Sequence, residues 1–267
     1  MSLRLDDRQR AMLAEMGVRL FDGMPSEADA PAQASAPVAA APQARAPEPM
    51  AAPARAAPEP LAESSALAPP SPAPADLPQG ADLRALADAA ATCQACGLCQ
   101  GRRNAVFGSG DPQADWLIVG DAPTEEEDLL GQPFAGAPGQ LLDNMLRALG
   151  LARDRGVYLT NALKCRSPAN RSPAPDEVAQ CERFLRAQVA AIKPRVILAM
   201  GRFAVQALLN TQDPPGRLRG RAHAYQGIPV VVTFHPGYLL RNLPDKAHAW
   251  SDLCLAQDLA RSTTTQA

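Results

Sequence analysis

Six cysteines and three histidines are the residues of this chain best suited to metal or proton chemistry. Cys93 and Cys96 form a Cys-x-x-Cys pair, the close spacing common in zinc and iron–sulfur sites. Cys165 and Cys181 follow downstream, with 15 residues between them. Cys99 extends the first pair into a Cys-x-x-Cys-x-x-Cys run, so a set that uses Cys99 stays open, as do ordinary buried thiols. Cys254 reads as a core residue of the last helix. The N-terminus has alternating charges and no visible secretion signal. Six cysteines in such a chain argue for reduced thiols and metal ligation rather than disulfides.

Four other strips carry polar groups among turn residues: GDAPTEEED (Gly120–Asp128), PFAGAPGQLL (Pro133–Leu142), NALKCRSPANR (Asn161–Arg171) and HPGYLLR (His235–Arg241). Small and Gly/Pro residues let backbone approach a ligand closely. Asn161 offers an amide donor and acceptor side by side, which fits a ligand edge with the complementary pair. His235 can donate to an oxygen that gathers negative charge. Asp121 and Glu127 are the candidate carboxylates, and Phe134 can stack on a planar ring. Structural readings compete: Asn161 as a strand-end cap, Phe134 as a core residue, and Thr124-x-x-Glu127 as a capping box at a helix start.

Positioning these strips falls to an alternation of strands and helices. Strands are expected at Trp116–Val119, Val157–Thr160, Val196–Ala199 and Pro229–Thr233. Helices are expected near Ala81–Ala91, from Glu125, and over Gln140–Leu149, Asp176–Ile192, Arg202–Leu209 and Lys246–Leu259, with a small hairpin within Arg217–Gly227. Such alternation implies an α/β fold: a three-layer α/β/α sandwich around a central four-stranded, mainly parallel sheet. Ligands of such sheets bind beyond the carboxyl ends of the strands, where Gly120-Asp121, Asn161 and His235 all fall.

Composition divides the chain. Residues 23–79 hold 14 of the 27 prolines, with Ala, Ser, Gln and Glu. A stretch this poor in aromatic and β-branched residues cannot bury enough apolar surface to offset its chain entropy, so a disordered Pro/Ala-rich linker is expected. Before it, Met12, Leu13, Met16, Leu20 and Phe21 recur at helical spacing, predicting a short amphipathic helix within residues 1–22. Gly17–Phe21 faintly resembles a sliding-clamp binding peptide, which would make the tail a docking tether; a helix that packs on the domain or frays is the favoured alternative. Residues 80–267 are then the single globular domain. The net charge of −2 combines an acidic tail with a weakly basic domain, which alone does not call for nucleic acid. No run of about 18 apolar residues exists to span a membrane.

Taken together, the rim strips and the cysteine set resemble the family 4 uracil-DNA glycosylases, the iron–sulfur branch of the uracil glycosylases. The resemblance runs from about Cys93 to the C-terminal helix. It implies that Cys93, Cys96, Cys165 and Cys181 hold a 4Fe–4S cluster, with Cys99 outside the set. It assigns Asn161, Ala122, Phe134 and Asn170 to binding a flipped uracil. Asp121, His235 and Glu127 would serve catalysis, and Lys164, Arg166, Arg171, Leu239 and Arg241 would contact DNA, with Leu239 or Leu240 filling the gap left by the flipped nucleotide. The implied activity is monofunctional: uracil leaves, an abasic site remains, and no lysine stands where a Schiff base would form. The partner is uracil-containing DNA, the setting a bacterial-type cytosol and nucleoid, and the state a monomer.

Departures from the family pattern are Asp121 in place of Glu, Thr124 in place of the second Gly of Gly-Glu-Ala-Pro-Gly, PFAGAPG for the usual Phe-Val-Gly-x-Ala-Gly, and Gly237 where Ser is common. Two other functions compete: a non-catalytic DNA- or uracil-binding relative of the same fold, and an iron–sulfur electron-transfer protein.

Overall fold

The computed structural model describes Leu77 and residues 80–264. The expected N-terminal helix and, save Leu77, the linker lie outside the described residues.

Helix α1 (Leu83–Thr92) precedes the cysteine pair, and a 3₁₀ turn covers Gly97–Gln100. A short strand, β1 (Ser109–Gly110), leads to β2 (Trp116–Gly120), α2 (Glu125–Leu130), α3 (Gly136–Ala148) and β3 (Val157–Asn161). Next come α4 (Pro175–Ile192), β4 (Val196–Met200), α5 (Arg202–Leu209) and α6 (Pro215–Leu218). The chain closes with β5 (Ala222–Tyr225), β6 (Ile228–Thr233), α7 (Pro236–Leu239) and α8 (Asp245–Thr264).

One sheet runs β1-β3-β2-β4-β6-β5. The four expected strands are its parallel centre, β3-β2-β4-β6, while β1 and β5 add antiparallel edges. Every residue of β2, β3 and β4 is buried, as expected where helices cover both faces. Alternation divides them between two cores. Trp116, Ile118, Leu159 and Leu198 join Leu142 and Met145 of α3 and Leu253 of α8. Leu117, Val119 and Ile197 join Leu185 and Val189 of α4 and Val205 of α5. The layers are therefore α/β/α.

The hairpin sits slightly later than expected. β5 turns into the first residues of β6 through Gln226 and Gly227, both at positive φ, the geometry of a two-residue hairpin turn. Helix α1 packs on α4 through Leu86, Ala90, Phe107 and Phe184, which brings the Cys93 end of α1 toward the Cys181 turn of α4.

Candidate active site and cysteine cavity

The β2–β3 register sets Gly120 opposite Asn161 at the carboxyl rim. A Cβ at Gly120 would lie 2.4 Å from Asn161 Oδ1 and 2.8 Å from Phe134 Cζ, so only glycine admits both side chains here. Asn161 is 1% exposed, and its Nδ2 has no hydrogen-bond partner in the structure. That nitrogen is still near enough to Glu127 to favour the ionised carboxylate. An unpaired buried donor costs about 1–3 kcal/mol, which a ligand oxygen would recover.

Phe134 is buried and held at φ 53, a conformation that costs a non-glycine residue on the order of 1–3 kcal/mol. Its backbone is clamped from both sides. Its N–H donates to Glu127 Oε1, and its carbonyl accepts from Arg153 Nη2 at 2.8 Å. The ring stacks on His235, with centroids 5.6 Å apart and planes 18° from parallel.

Glu127 does two jobs in this clamp. Its Oε2 accepts from Thr124 N at 2.6 Å while the Thr124 hydroxyl accepts from Glu127 N, so the capping box expected from Thr124-x-x-Glu127 is formed. Burial pushes its pKa up, opposed by these backbone donors. Its neighbour Asp128 serves structure, accepting from the backbone N–H groups of Arg103 and Asn104.

His235 caps α7, and its Nδ1 accepts from Gly237 N at 3.1 Å. With Nδ1 an acceptor, the ring proton sits on Nε2, which becomes a donor. Burial, reinforced by Arg241, pushes the imidazole pKa down to about 4, so the ring is neutral near pH 7. Across the rim, Asp121 Oδ1 accepts from Phe203 N at 2.7 Å and Ala204 N at 3.1 Å, the first turn of α5. Gly201, at φ 116, lets the carboxylate fold over that helix start, because a Cβ there would lie 2.2 Å from Oδ2. Burial raises Asp121 to about 6 against these donors.

An open pocket of about 480 Å³ joins Asp121, Ala122, Asn170, Arg171, His235 and Arg241. Asn161, Phe134 and Glu127 are buried and do not line this pocket; the Phe134 ring meets it by stacking on His235. Ser167 also lines the pocket, and its buried hydroxyl has no hydrogen-bond partner. Arg166 pairs with Glu125 at 3.1 Å and donates to Asn170 Oδ1 at 3.3 Å. Arg171 is a two-pronged partner of Glu177, at 2.6 and 2.8 Å.

Two expected DNA contacts are corrected. Lys164 is fully buried, with Nζ donating to Thr160 Oγ1, Asn161 O and Gln188 Oε1 at 2.6–2.7 Å, so it cannot reach a phosphate. Leu239 is 1% exposed within the core beneath α7, whereas Leu240 is 40% exposed. Of the two leucines, Leu240 is the one that faces outward.

A second, small cavity of about 10 Å³ is lined by Cys93, Cys96, Cys99, Cys165 and Cys181, together with Arg102, Lys164 and Phe184. Among the described residues no three His, Cys, Asp or Glu side chains converge as ligands of one ion would. Burial raises the pKa of Cys96, Cys165 and Cys181, the last to about 12, so these thiols ionise only with a positive partner. Donors already point at the sulfurs: Arg102 Nη1 at 3.0 Å from Cys165, Arg183 Nη2 at 3.3 Å from Cys93, and the Lys164 backbone N–H at 3.3 Å from Cys181. Such bonds favour thiolate over thiol. The chemistry of these sulfur donors, though not their present convergence, suits a thiolate-bound metal group.

The sequence profile of the Uracil DNA glycosylase superfamily matches residues 107–254, which span the rim strips and the parallel sheet. The chain belongs to the uracil-DNA glycosylase superfamily. It is 41% identical over 157 residues to the type-4 uracil-DNA glycosylase of Archaeoglobus fulgidus, covering 56% of this chain and 78% of that protein. Against the type-4 enzyme of Thermotoga maritima it is 43% identical over 152 residues, covering 56% and 79%. Against that of Pyrobaculum aerophilum it is 37% identical over 173 residues, covering 61% and 87%.

Within this glycosylase fold, Gly120, Arg153, Ser167 and the outward role of Leu240 escape sequence reasoning. Arg153 carries no local signal at all: it reaches back to Phe134 O and Gly139 O from the loop after α3 and pairs with Asp143. Gly120 lay inside a strip already singled out, but its need for a missing Cβ is set by residues 14 and 41 positions away.

Proposed function

We propose that this protein is a monofunctional uracil-DNA glycosylase that extrudes uracil from DNA, hydrolyses its N-glycosidic bond and leaves an abasic site. The observation that carries the reading is the buried, unpartnered Nδ2 of Asn161 beside the Phe134–His235 stack. Uracil O4 would accept from Nδ2 and N3–H would donate to Oδ1. The Glu127 carboxylate near Nδ2 favours that orientation of the amide. Cytosine presents the opposite pattern and would leave both atoms unpaired, a strong ground for rejection. Phe134, clamped at its N–H and carbonyl, would stack on the base.

As the glycosidic bond breaks, charge accumulates on the uracil carbonyls. The His235 Nε2–H would donate to one of them while the ring stays neutral, and removal of one such donor costs about 10²–10³ in rate elsewhere. Asp121 would orient the attacking water and offset positive charge on the sugar. Arg241, Arg166 and Arg171 would take phosphates, the last two by leaving Glu125 and Glu177. Leu240 would occupy the gap left in the stack.

Cys93, Cys96, Cys165 and Cys181 would hold a 4Fe–4S cluster, with Cys99 outside the set. Ligation by these four would tie the end of α1 to the exit of β3, about 70 residues on, and to α4, nearly 90 residues on. Tail residues 1–22 would reach a repair or replication partner, the domain itself acting as a cytosolic monomer on nucleoid DNA. No helix among the described residues is long and apolar enough to cross a membrane.

The test is uracil release from single- and double-stranded DNA by iron-replete protein, with Asn161→Ala and His235→Ala beside it, and iron content measured for Cys165→Ser and Cys99→Ser. Activity lost in both rim variants, and iron lost only with Cys165, is the expected result. No release by the iron-replete wild type would sink the reading. One observation favours a second reading, a non-catalytic uracil-DNA binder: Asp121 Oδ1 is already engaged by α5. Tight binding of uracil-DNA without base release would identify it.

A further inference from the structure

The side-chain amine of Lys164 is surrounded by acceptors inside the protein. Nζ lies 2.6 Å from Asn161 O, 2.7 Å from Thr160 Oγ1 and 2.7 Å from Gln188 Oε1. Those acceptors are themselves fixed: the Thr160 hydroxyl and Gln188 Nε2 both donate to Phe107 O, at 2.8 and 2.9 Å, so each turns its oxygen toward Lys164. On the other side Lys164 walls the cysteine cavity, and its backbone N–H is the donor to Cys181 Sγ. A single residue therefore touches the carbonyl of the base-reading asparagine and a sulfur of the metal-holding set.

We propose that Lys164 is a positioning residue that fixes Asn161 from behind and ties its orientation to the cysteine cavity. This inference rests on the glycosylase reading. The physical basis is the shortness of the path: Asn161 Oδ1 is confined against Gly120 and Phe134, and the one backbone carbonyl that sets the base of that side chain is held by Lys164 Nζ. Removing the amine takes one donor from each of these three buried acceptors and lets the end of β3 relax. A group bound at the cysteines holds the Lys164 backbone in place through Cys165 and Cys181, so its presence is felt at Asn161 without any contact to the base.

The test is a double-mutant cycle between Lys164→Met and Asn161→Ala, read by single-turnover uracil release, iron per chain, and affinity for uracil-containing against abasic-site DNA. Lys164→Met should keep its affinity for abasic-site DNA. It should slow release about tenfold or more, the scale of one unpaired buried group. In the Asn161→Ala background the same substitution should cost far less, because the group it positions is gone. Preference for uracil-containing over abasic-site DNA should shrink in parallel, a change that general loosening of the fold would not produce. Gln188→Met, which removes one acceptor and keeps the lysine, should show the same coupling at smaller size; it decides the matter if Lys164→Met does not accumulate folded and iron-replete. Unchanged release, or losses that multiply independently with Asn161→Ala, overturn the proposal while wild-type activity leaves the glycosylase reading standing. A wild type that releases no uracil overturns both.

Discussion

Gly120→Ala is the smallest change that should disable this site, and its size can be worked from the structure. The new Cβ would sit 2.4 Å from Asn161 Oδ1 and 2.8 Å from Phe134 Cζ, where ordinary contact begins at 3.4 Å. Asn161 Oδ1 must therefore move by about 1 Å, a misplacement that costs on the order of 10²-fold in rate when it falls on a positioning group. Neither side chain has room to yield, since both are 1% exposed and Phe134 is pinned at its N–H and carbonyl. Overpacking of this kind costs about 1–3 kcal/mol of stability, offset by about 0.4–1 kcal/mol from stiffening the unfolded chain. In a domain of this size the net change should lower Tm by only a few degrees. Gly216→Ala is the control, because nothing lies within 4 Å of its Cβ and its φ is ordinary. Single-turnover uracil release, with thermal unfolding alongside, reads the outcome: Gly120→Ala folded and slow, Gly216→Ala folded and fast. A Gly120→Ala protein as fast as wild type would show that Asn161 does not read the base from this position.

Three further outcomes follow from the same geometry. His235, depressed from 6.5 to about 4, prefers its neutral form when folded; the stability this contributes, on the order of 3 kcal/mol, is full above pH 6.5 and is lost as pH falls toward 4. Uracil release should therefore show no acid limb from this group near neutrality and one near pH 4, and a limb near 6.5 that disappears in His235→Gln would refute the neutral-donor assignment. Asp121 has the opposite sign. Raised from 3.8 to about 6, its ionisation is disfavoured in the fold, so Asp121→Asn should stabilise the protein at pH 8 by about 1–2 kcal/mol after allowance for pocket water and not at pH 4. The same variant should lose uracil release, and full activity would remove Asp121 from the water-orienting role. Leu239→Ala should cost about 2–5 kcal/mol in denaturant unfolding, while Leu240→Ala should leave stability alone and slow release from double-stranded DNA more than from single-stranded. The reverse ranking would place the wedge at the wrong leucine.

The chain order by itself determines the parallel centre of the sheet, because the short apolar runs of β2 and β4 and the mainly apolar start of β3 suit strands buried on both faces, and the amphipathic stretches between them cover those faces. It also determines that Gly120, Asn161 and His235 share a rim, since each lies at or just past the carboxyl end of a parallel strand. The Thr124–Glu127 capping box was readable for the same reason: its partners are three residues apart. What tertiary structure decided is everything set by neighbours distant in sequence. Lys164 looked like a phosphate ligand in a basic loop and proved to be a buried tie, because its three oxygens come from β3 and α4. Leu239 and Leu240 are indistinguishable along the chain, and only the packing of α7 on the core turns one inward. The edge strand β1, two residues long, carries no pattern to detect and exists only because β3 offers it an unpaired flank. Local pattern reports which faces must be hidden from water; which side chain then meets a given partner depends on packing that no short window of sequence contains.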